Sequence, residues 1–321
     1  MSAKFLASEA STFLGISQQA VHKRLRSNNL PFDKSGNRVY FGHETAKKLF
    51  GLDFSKLVIA VQIVKGGTGK TSLAHNTAVR ANLYGAKVLC IDIDQQANLT
   101  DAFGLENHKD PCIFDLIKKN ERSAESAIVN ISPGLDLIPS RIENTMLDGH
   151  LMLAGLPLDR VYSELFRPLL NDYDLIIIDC PPALSPSVTA AALASDFVLA
   201  PVCPERFATE GLRITANELA TIGKKFGREL TLRVIMNKFN NRTILSTDVL
   251  SDLFQDEHYQ SKMFKTVVRS SQEFPNSASK HESVFETLRP TAAKEDVDIF
   301  TQELLCIGAY AKIKMTEEAA S

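Results

Sequence analysis

The fold is decided by the stretch Lys65-Gly66-Gly67-Thr68-Gly69-Lys70-Thr71, which follows an apolar run at 57–64 and precedes a helical pattern at 72–84. Glycines let the backbone curl so that several N–H groups converge, and the N-terminus of the following helix adds positive potential there. Such a loop suits the phosphates of a nucleoside triphosphate. Lys70 would reach the β- and γ-phosphates, and the Thr71 hydroxyl would ligate Mg²⁺ directly. A plain Gly-rich turn is disfavoured, because Gly, Lys and Thr all stand at the required spacing.

Outward from this loop, apolar runs alternate with amphipathic stretches. The runs lie at 57–64, 87–93, 135–139, 174–179, 196–202 and 231–239. Strands that alternate with helices form a mostly parallel sheet with helices on both faces, since parallel neighbours need a crossover. The predicted fold class is α/β, a doubly wound P-loop NTPase over 55–321, preceded by a small separate unit at 1–54. A further strand is expected at 263–268 and a last helix at 292–313.

Composition and charge exclude several classes of protein. The chain has 321 residues, 44% hydrophobic and 23% charged, which is ordinary for a globular protein and excludes a disordered or fibrous one. Its 36 Lys+Arg and 38 Asp+Glu nearly balance, but residues 1–54 hold eight of the cations and only four of the anions. The first unit is therefore basic and the remainder acidic, so any DNA affinity of the larger unit must come from a local patch.

The cysteine pattern and the apolar runs indicate in which cellular compartment the protein is expected. Five cysteines are widely spread without a C-x-x-C pair, which disfavours disulfides and zinc and favours reduced, buried thiols in a cytoplasmic protein. The N-terminus lacks the long apolar core of a signal peptide. The apolar runs are too short to span a bilayer, so no membrane association is expected.

The loop departs from the common phosphate-loop pattern in an informative way. Val64 stands where that pattern has its first glycine, and an additional lysine follows as Lys65. This K-G-G-x-G-K-T form, a deviant Walker A motif, resembles the ParA/MinD superfamily of P-loop ATPases. The resemblance implies ATP with Mg²⁺ as cofactors and nucleotide contacts from 65–72, including Ser72. It also implies that Lys65 crosses to the nucleotide of a second subunit in an ATP-bound homodimer; the alternative is a solvated lysine beside the loop.

Two acidic segments extend the resemblance. Residues 92–100 are similar to the family's D-x-D-P-Q-x-N-x-T segment, with Gln95 in place of Pro. This similarity assigns Asp92 to the water shell of Mg²⁺ and Asp94 to the attacking water, so that Lys65, Lys70 and Asp94 form the catalytic set. Residues 175–182 match the Walker B segment, where Asp179 holds Mg²⁺ through water. Since no Glu follows Asp179, hydrolysis is expected to be slow and to act as a timer.

Asn237 ends the strand at 231–239, as in loops that contact the base. An adenine contact is one interpretation of this residue, and turn capping is the other.

The basic first unit has the pattern of a helix-turn-helix at 14–25, in which Gly15 permits the turn and Ser17 caps the second helix. Its exposed side chains suit base edges and phosphates. They are Gln18, Gln19, His22, Lys23 and Arg26. Residues 31–41 look like a hairpin wing of the MerR-like kind, with Arg38 beside its turn, and a helix at 44–50 closes the unit. The favoured interpretation is operator DNA binding; the alternative is a helical dimerisation arm.

A second DNA contact is predicted on the larger unit. Similar proteins carry cations for sequence-independent DNA contact in the region that holds Lys262, Lys265, Arg269 and Lys280 here, and Arg269 and Lys280 are the chosen candidates. An ATP dimer doubles the number of such cations. Because the free energies of phosphate contacts add, the DNA affinity of the dimer would greatly exceed that of the monomer. The alternative is a scattered solvated surface.

The resemblance as a whole implies a ParA-type partition ATPase that binds DNA when ATP-bound. A centromere-binding ParB-like partner would stimulate hydrolysis and release, and the protein would be cytoplasmic and nucleoid-associated. Three alternatives stay open at this point. They are a MinD-like membrane-associated protein, disfavoured by the acidic segment 313–318, a transcription regulator with nucleotide-tuned operator binding, and an ATPase that positions protein cargo.

Overall fold

The computed structural model describes residues 3–121, 123–205 and 208–311, and in these ranges strands and helices alternate along most of the chain. The strands are β1 (Phe5–Leu6), β2 (Asp33–Ser35), β3 (Arg38–Phe41), β4 (Leu57–Val61), β5 (Val88–Asp92), β6 (Val129–Ser132), β7 (Leu135–Ile138), β8 (Leu175–Asp179), β9 (Phe197–Val202), β10 (Leu232–Phe239) and β11 (Met263–Arg269). The helices are α1 (Ala7–Leu14), α2 (Gln18–Ser27), α3 (His43–Phe50), α4 (Lys70–Leu83), α5 (Asn98–Ala102), α6 (Ile113–Lys118), α7 (Leu147–Leu153), α8 (Val161–Phe166), α9 (Pro186–Leu193), α10 (Ala208–Phe226), α11 (Ile244–Gln255), α12 (Glu273–Ala278) and α13 (Ala292–Leu304).

The central sheet has the order β11-β10-β9-β4-β8-β5-β7-β6, and all its neighbours are parallel except β6, which runs antiparallel to β7 at one edge. The predicted α/β class with a mostly parallel sheet is confirmed. In the register of β5 and β8, Asp92 lies opposite Asp179. The topology therefore brings two predicted site carboxylates together at the carboxyl ends of neighbouring strands.

Both faces of the sheet are covered, as side-chain alternation along each strand requires. Ile59 of β4 packs into the layer that holds α4 and α13, whereas its neighbour Ala60 packs into the layer of α9 and α10. The last helix ends at Leu304, earlier than expected, because the chain turns through Cys306 with a positive φ of 51°. Within the described ranges no helix combines the length and apolarity needed to cross a bilayer. The segment 313–318 lies outside these ranges.

The basic first unit contains a three-stranded antiparallel sheet, β1-β3-β2, and three helices. Gly15 ends α1 with a φ of 64°, and the Ser17 side chain accepts a hydrogen bond from Ala20 N–H at 3.2 Å at the start of α2. The hairpin and the helices lie where the sequence predicts them. The identification of this unit as a winged helix-turn-helix, and its boundary at residue 54, stay predictions.

The first unit shares one hydrophobic core with the sheet domain. The Phe5 ring of β1 lies 5.2 Å from that of Tyr84, at the end of α4. Beside them the Arg80 guanidinium, 1% exposed, stacks 4.0 Å from the Phe5 ring. It pairs with Glu9 of α1 at 3.2 Å and with Asp298 of α13 at 2.6 Å. A buried ion pair therefore ties the first unit to the helix that begins at the phosphate loop.

The five cysteines are free, and all lie in the described ranges. Four of them are buried and one, Cys306, is exposed just after α13. The expectation of mostly buried thiols agrees with this arrangement.

His75 makes the stability of the fold depend on pH. Burial inside α4 lowers the pKa of its imidazole from 6.5 to about 4. As the pH falls below about 6.5, the unfolded chain takes up a proton at this position and the folded chain does not, so stability is lost between pH 6.5 and 4. At pH 5 this amounts to about 2 kcal/mol relative to pH 7.5.

The measurement is the free energy of unfolding in urea at about pH 7.5 and about pH 5, for the wild type and for His75→Leu. Between these two pH values the wild type should lose about 2 kcal/mol more unfolding free energy than the variant, because the variant has no imidazole to titrate. A pH-independent difference would contradict the assignment.

Candidate nucleotide and DNA sites

The phosphate loop joins β4 to α4 at the carboxyl edge of the sheet. Gly67 and Gly69 adopt left-handed conformations with φ of 76° and 84°, which turns the chain into the helix. The first helical hydrogen bond runs from Leu73 N–H to Gly69 C=O at 2.9 Å. The amides of the preceding residues, at 70–72, therefore have no acceptor within the helix and are free for phosphate oxygens.

Asn237 fixes the loop from the end of β10. Its Nδ2 donates to the Thr68 carbonyl at 2.7 Å, and its Oδ1 accepts from the Lys238 amide at 2.9 Å. Each end of the side-chain amide thus makes one hydrogen bond, and one N–H and one oxygen lone pair remain for a further contact. The predicted base contact stays a prediction, while the structure gives Asn237 a loop-holding role that the sequence did not indicate. Lys238 adds a second tie, from its Nζ to the Gly67 carbonyl at 2.7 Å.

A cavity of about 310 Å³ lies beside the first turn of α4. Ser72 and Leu73 form one wall, and Gln272, Phe274 and Pro275 form the other. The cavity lies next to the loop, and Ser72 and Asn237, both predicted to contact the nucleotide, are among its lining residues; their contact with a nucleotide stays a prediction.

Thr71 and Asp179 form the candidate magnesium site. The Thr71 hydroxyl donates to Asp179 Oδ2 at 2.7 Å, and the other carboxylate oxygen, Oδ1, is buried without a hydrogen-bond partner in the described residues. Burial and the neighbouring Asp92 raise the pKa of Asp179 well above its ordinary value. Oxygen ligands and an unsatisfied carboxylate fit Mg²⁺, which binds proteins through few carboxylates and keeps several waters.

Asp92 and Asp94 are held rigidly behind this site. Asp92 accepts hydrogen bonds from the Thr100 amide at 2.9 Å and hydroxyl at 2.7 Å, and from the Asp94 amide at 3.1 Å. Asp94 Oδ1 accepts from the Gln96 amide at 3.0 Å. Burial raises the pKa of Asp92. Thr100 is a supporting residue whose role was not apparent from the motif, although it closes the same segment.

Lys70 lies at the centre of this acidic cluster, and its side chain is buried. Burial lowers its pKa, an effect that Asp179 and Asp94 oppose. The structure therefore brings together the predicted residues Lys70, Thr71, Asp92, Asp94 and Asp179 at one edge of the sheet.

Lys65 lies at the rim of the site, with its side chain 29% exposed. Its Nζ pairs with Glu205 Oε2 at 2.5 Å within the same chain. Gly211 of α10 makes room for it, since a Cβ at that glycine would lie 3.2 Å from Lys65 Cβ. The lysine is thus held by a partner of its own chain in a half-buried position.

The residues predicted to contact an operator share one surface of α2. Gln19, His22, Lys23 and Arg26 line a shallow groove of about 510 Å³, and Gln18 is exposed next to them. Arg38 lies apart on the hairpin and donates from Nη1 to the Leu288 carbonyl at 2.8 Å. These contacts with DNA stay predictions.

The two cations chosen for sequence-independent DNA contact differ in availability. The hydrogen bonds that Arg269 donates to Asp296 and Glu295 raise its pKa, and both carboxylates lie within 2.7 Å of its Nη2. Its charge is thereby offset. Lys280 is exposed in the turn after α12. The prediction for Arg269 stands only if DNA displaces these acids.

A family model described as an AAA domain matches residues 56–232, more than half of the chain. Among curated relatives, the sporulation initiation inhibitor protein Soj of Bacillus subtilis is 29% identical over 221 residues, covering 66% of this chain and 83% of Soj. A ParA family protein of Chlamydia trachomatis is 32% identical over 256 residues, covering 77% of this chain and 96% of that protein.

Solved structures share the fold. McdA from Cyanothece in complex with ATP superposes with a TM-score of 0.70 at 22% identity, covering 79% of this chain and 98% of McdA. Cobyrinic acid a,c-diamide synthase from Mycobacterium smegmatis, with a bound ATP analogue and magnesium, gives a TM-score of 0.67 at 22% identity over 78% and 94% of the two chains.

Proposed function

The chain belongs to the ParA/MinD family of P-loop ATPases, and on this premise we propose that it is a DNA partition ATPase whose affinity for DNA is switched by ATP. The observation that carries the proposal is the cluster of buried Lys70, Asp92, Asp94 and Asp179 with half-buried Thr71, and with Lys65 at its rim. The cluster supports hydrolysis, and the position of half-buried Lys65 at its rim supports a dimer.

ATP and Mg²⁺ are the cofactors that the site fits. Thr71 would ligate the metal, and Asp179 and Asp92 would hold its water shell, because their oxygens converge beside the loop. Bound there, Mg²⁺ neutralises charge on the phosphates. The amides of 70–72 hold the phosphates, Lys70 compensates their charge, and Asp94, fixed by Gln96, orients the attacking water. Cys180 follows Asp179 where a Glu base would stand, so turnover is slow.

The dimer forms across the ATP site. Lys65 leaves Glu205 and reaches the nucleotide of the second subunit, which makes the ion pair within one chain a feature of the resting monomer. Dimerisation places two DNA-binding surfaces on one particle, and paired surfaces bind a polymer more tightly than single ones. A ParB-like centromere-binding protein stimulates hydrolysis and returns the monomer. The protein acts in the cytoplasm, on the nucleoid.

The first unit would bind a specific operator as a winged helix-turn-helix and repress the protein's own operon. Support comes from the capped α2 with its exposed polar face and from the hairpin formed by β2 and β3. A second candidate function is a transcription regulator in which ATP tunes operator affinity. The hydrophobic core that the first unit shares with α4 favours this regulator function. Because α4 begins at the phosphate loop, that core connects the nucleotide site to the first unit.

DNA retention tests the proposal. The wild type and Lys70→Ala are applied to immobilised random-sequence duplex with ATP and Mg²⁺, with ADP and without nucleotide. We expect ATP to increase wild-type retention about tenfold or more, as expected for doubled phosphate contacts, and to leave the variant unchanged. Lys65→Ala serves as a comparison. This variant should still bind ATP, but it should sediment as a monomer. Equal retention in all three states would refute the nucleotide switch, and operator footprints without any ATP turnover would favour the regulator.

A further inference from the structure

Three side chains outside the nucleotide site meet between two surface loops. Asp101 lies in α5 and Glu106 in the turn that follows it, whereas His281 lies in the turn after α12. The chain reverses at Gly104, which has a φ of 76°, and Glu106 returns beside α5. One oxygen or nitrogen atom from each of the three side chains lies within 4.8 Å of the other two. The group therefore joins two segments that are 180 residues apart in the sequence.

The His281 ring is oriented as a metal ligand would be. Its Nδ1 lies 2.8 Å from the Asp101 carbonyl oxygen. Since a carbonyl can only accept, Nδ1 carries the proton of this hydrogen bond, and the neutral ring has its lone pair on Nε2. Histidines that bind metals commonly donate their other ring nitrogen to a carbonyl or a carboxylate, which fixes the ring. Here the free nitrogen, Nε2, lies 3.5 Å from Glu106 Oε1.

The spacing of these atoms fits a zinc ion better than it fits direct ion pairs. A charge-assisted hydrogen bond from nitrogen to a carboxylate measures about 2.7–2.9 Å. The distance from Nε2 to Glu106 Oε1 and that from Nδ1 to Asp101 Oδ1 are both 3.5 Å. Two ligands of a tetrahedral zinc, each about 2.0–2.1 Å from the metal, lie about 3.4 Å apart. The gap between Nε2 and Oε1 therefore has the size that the ion requires, and the half-exposed Asp101 carboxylate can rotate to become a third ligand.

The two acids also lack another cation. Neither Asp101 nor Glu106 pairs with a lysine or an arginine of the part of the chain that the structure describes; each faces His281. The hydrogen bond to the Asp101 carbonyl and the charges of both acids raise the pKa of the His281 imidazole, which indicates a negative potential at the ring. A divalent cation bound there would neutralise both carboxylates.

The mixture of donors selects the metal. An imidazole nitrogen together with carboxylate oxygens suits zinc, whereas Mg²⁺ prefers oxygen ligands alone. Three protein ligands leave the fourth position of a tetrahedron to water. We propose that Asp101, Glu106 and His281 bind one Zn²⁺ at the surface of the sheet domain. No cysteine takes part, so the spacing of the cysteines carries no sign of this site. The inference does not depend on the proposed function.

A zinc ion here would join two segments that border the nucleotide site. The first contains α5, which follows Asp94 and whose Thr100 donates to Asp92. The second contains α12, whose Phe274 lines the cavity beside α4 and which leads to His281. Because only the folded chain brings these segments together, zinc would bind the folded protein in preference to the unfolded one and would stabilise it.

The test is calorimetric titration of the full chain with Zn²⁺, with Mg²⁺ in excess so that the candidate magnesium site does not take up zinc. His281→Ala and Glu106→Gln alter the proposed site. His258→Ala is the matched control, because His258 is also exposed and follows two acids, at 256 and 257. We expect the wild type and the control to bind one Zn²⁺ with equal affinity, and the two site variants to bind it at least about tenfold more weakly. Cys306→Ser, which removes the exposed thiol, should bind zinc as the wild type does.

Thermal unfolding gives a second readout. At a Zn²⁺ concentration about 100 times the dissociation constant, the unfolding midpoint of the wild type should rise by about 4 °C, and that of His281→Ala should stay unchanged. The proposal would be overturned if the wild type bound no zinc, if His281→Ala bound it as tightly as the wild type, or if His258→Ala or Cys306→Ser lost as much affinity as the site variants. Because DNA retention is not measured, failure of this site and failure of the nucleotide switch are separate results.

Discussion

Gly69→Ala is expected to weaken ATP binding about 100-fold. Gly69 has a φ of 84°, and a Cβ at this position would lie 2.5 Å from Asn237 Nδ2. The methyl group would therefore strain the backbone and push Asn237 off the Thr68 carbonyl, which together cost about 3 kcal/mol and weaken binding about 100-fold. Titration with a fluorescent ATP analogue measures the affinity.

Gly149→Ala is the matched control for this prediction. Gly149 lies in α7, where an added Cβ meets no atom within 4 Å, so nucleotide affinity should be unchanged. An affinity of Gly69→Ala close to that of the control would show that the loop accommodates a side chain and would contradict the loop-holding role of Asn237.

Arg80→Met is expected to destabilise the whole protein by about 3–5 kcal/mol, because it leaves the acids of a buried ion pair without their partner. Glu9 and Asp298 would face each other across the space that the guanidinium fills, and Lys294, 3.1 Å from Glu9, would offset part of their negative charge. Urea unfolding followed by circular dichroism gives the change. Glu9→Gln, which removes one acid and keeps Arg80, provides a milder variant if Arg80→Met does not fold.

Arg213→Met offers the comparison at the surface. Arg213 pairs with Glu210 at 2.8 Å, but both side chains are largely exposed, so water replaces the pair and little or no stability is lost. A loss in Arg80→Met no larger than in this control would mean that the aromatic packing, and not the ion pair, holds the two units together.

The sheet was largely predictable because its interior strands are covered on both faces and form continuous apolar runs, as at Leu175–Asp179. Strand β6, Val129–Ser132, was missed. It is an antiparallel edge strand whose residues are all partly or fully exposed, so its pattern differs little from that of a loop. The interior of the sheet is thus encoded in local hydrophobicity, whereas its edge depends on the neighbouring strand.

The candidate site also combines features that local sequence encodes with features that depend on the fold. The loop at 65–71 and the acids Asp92, Asp94 and Asp179 are recognisable because spacing along the chain determines their chemistry. The contacts of Asn237 with Thr68 and of Lys65 with Glu205 join residues that are far apart along the chain. No local pattern specifies such pairs, and they depend on strand order. The pairing of Arg269 with Asp296 is hidden for the same reason.

All five cysteines of the chain lie in the described ranges. Four of them are buried, so Cys306 is the accessible thiol. Thiol-reactive dyes should therefore label the native protein at one position just beyond α13, next to the helix whose Asp298 anchors Arg80. A fluorophore there requires no engineered cysteine. It would place a reporter beside the junction of the two units, so that movement of the first unit during the ATP cycle can be followed by energy transfer to labelled DNA.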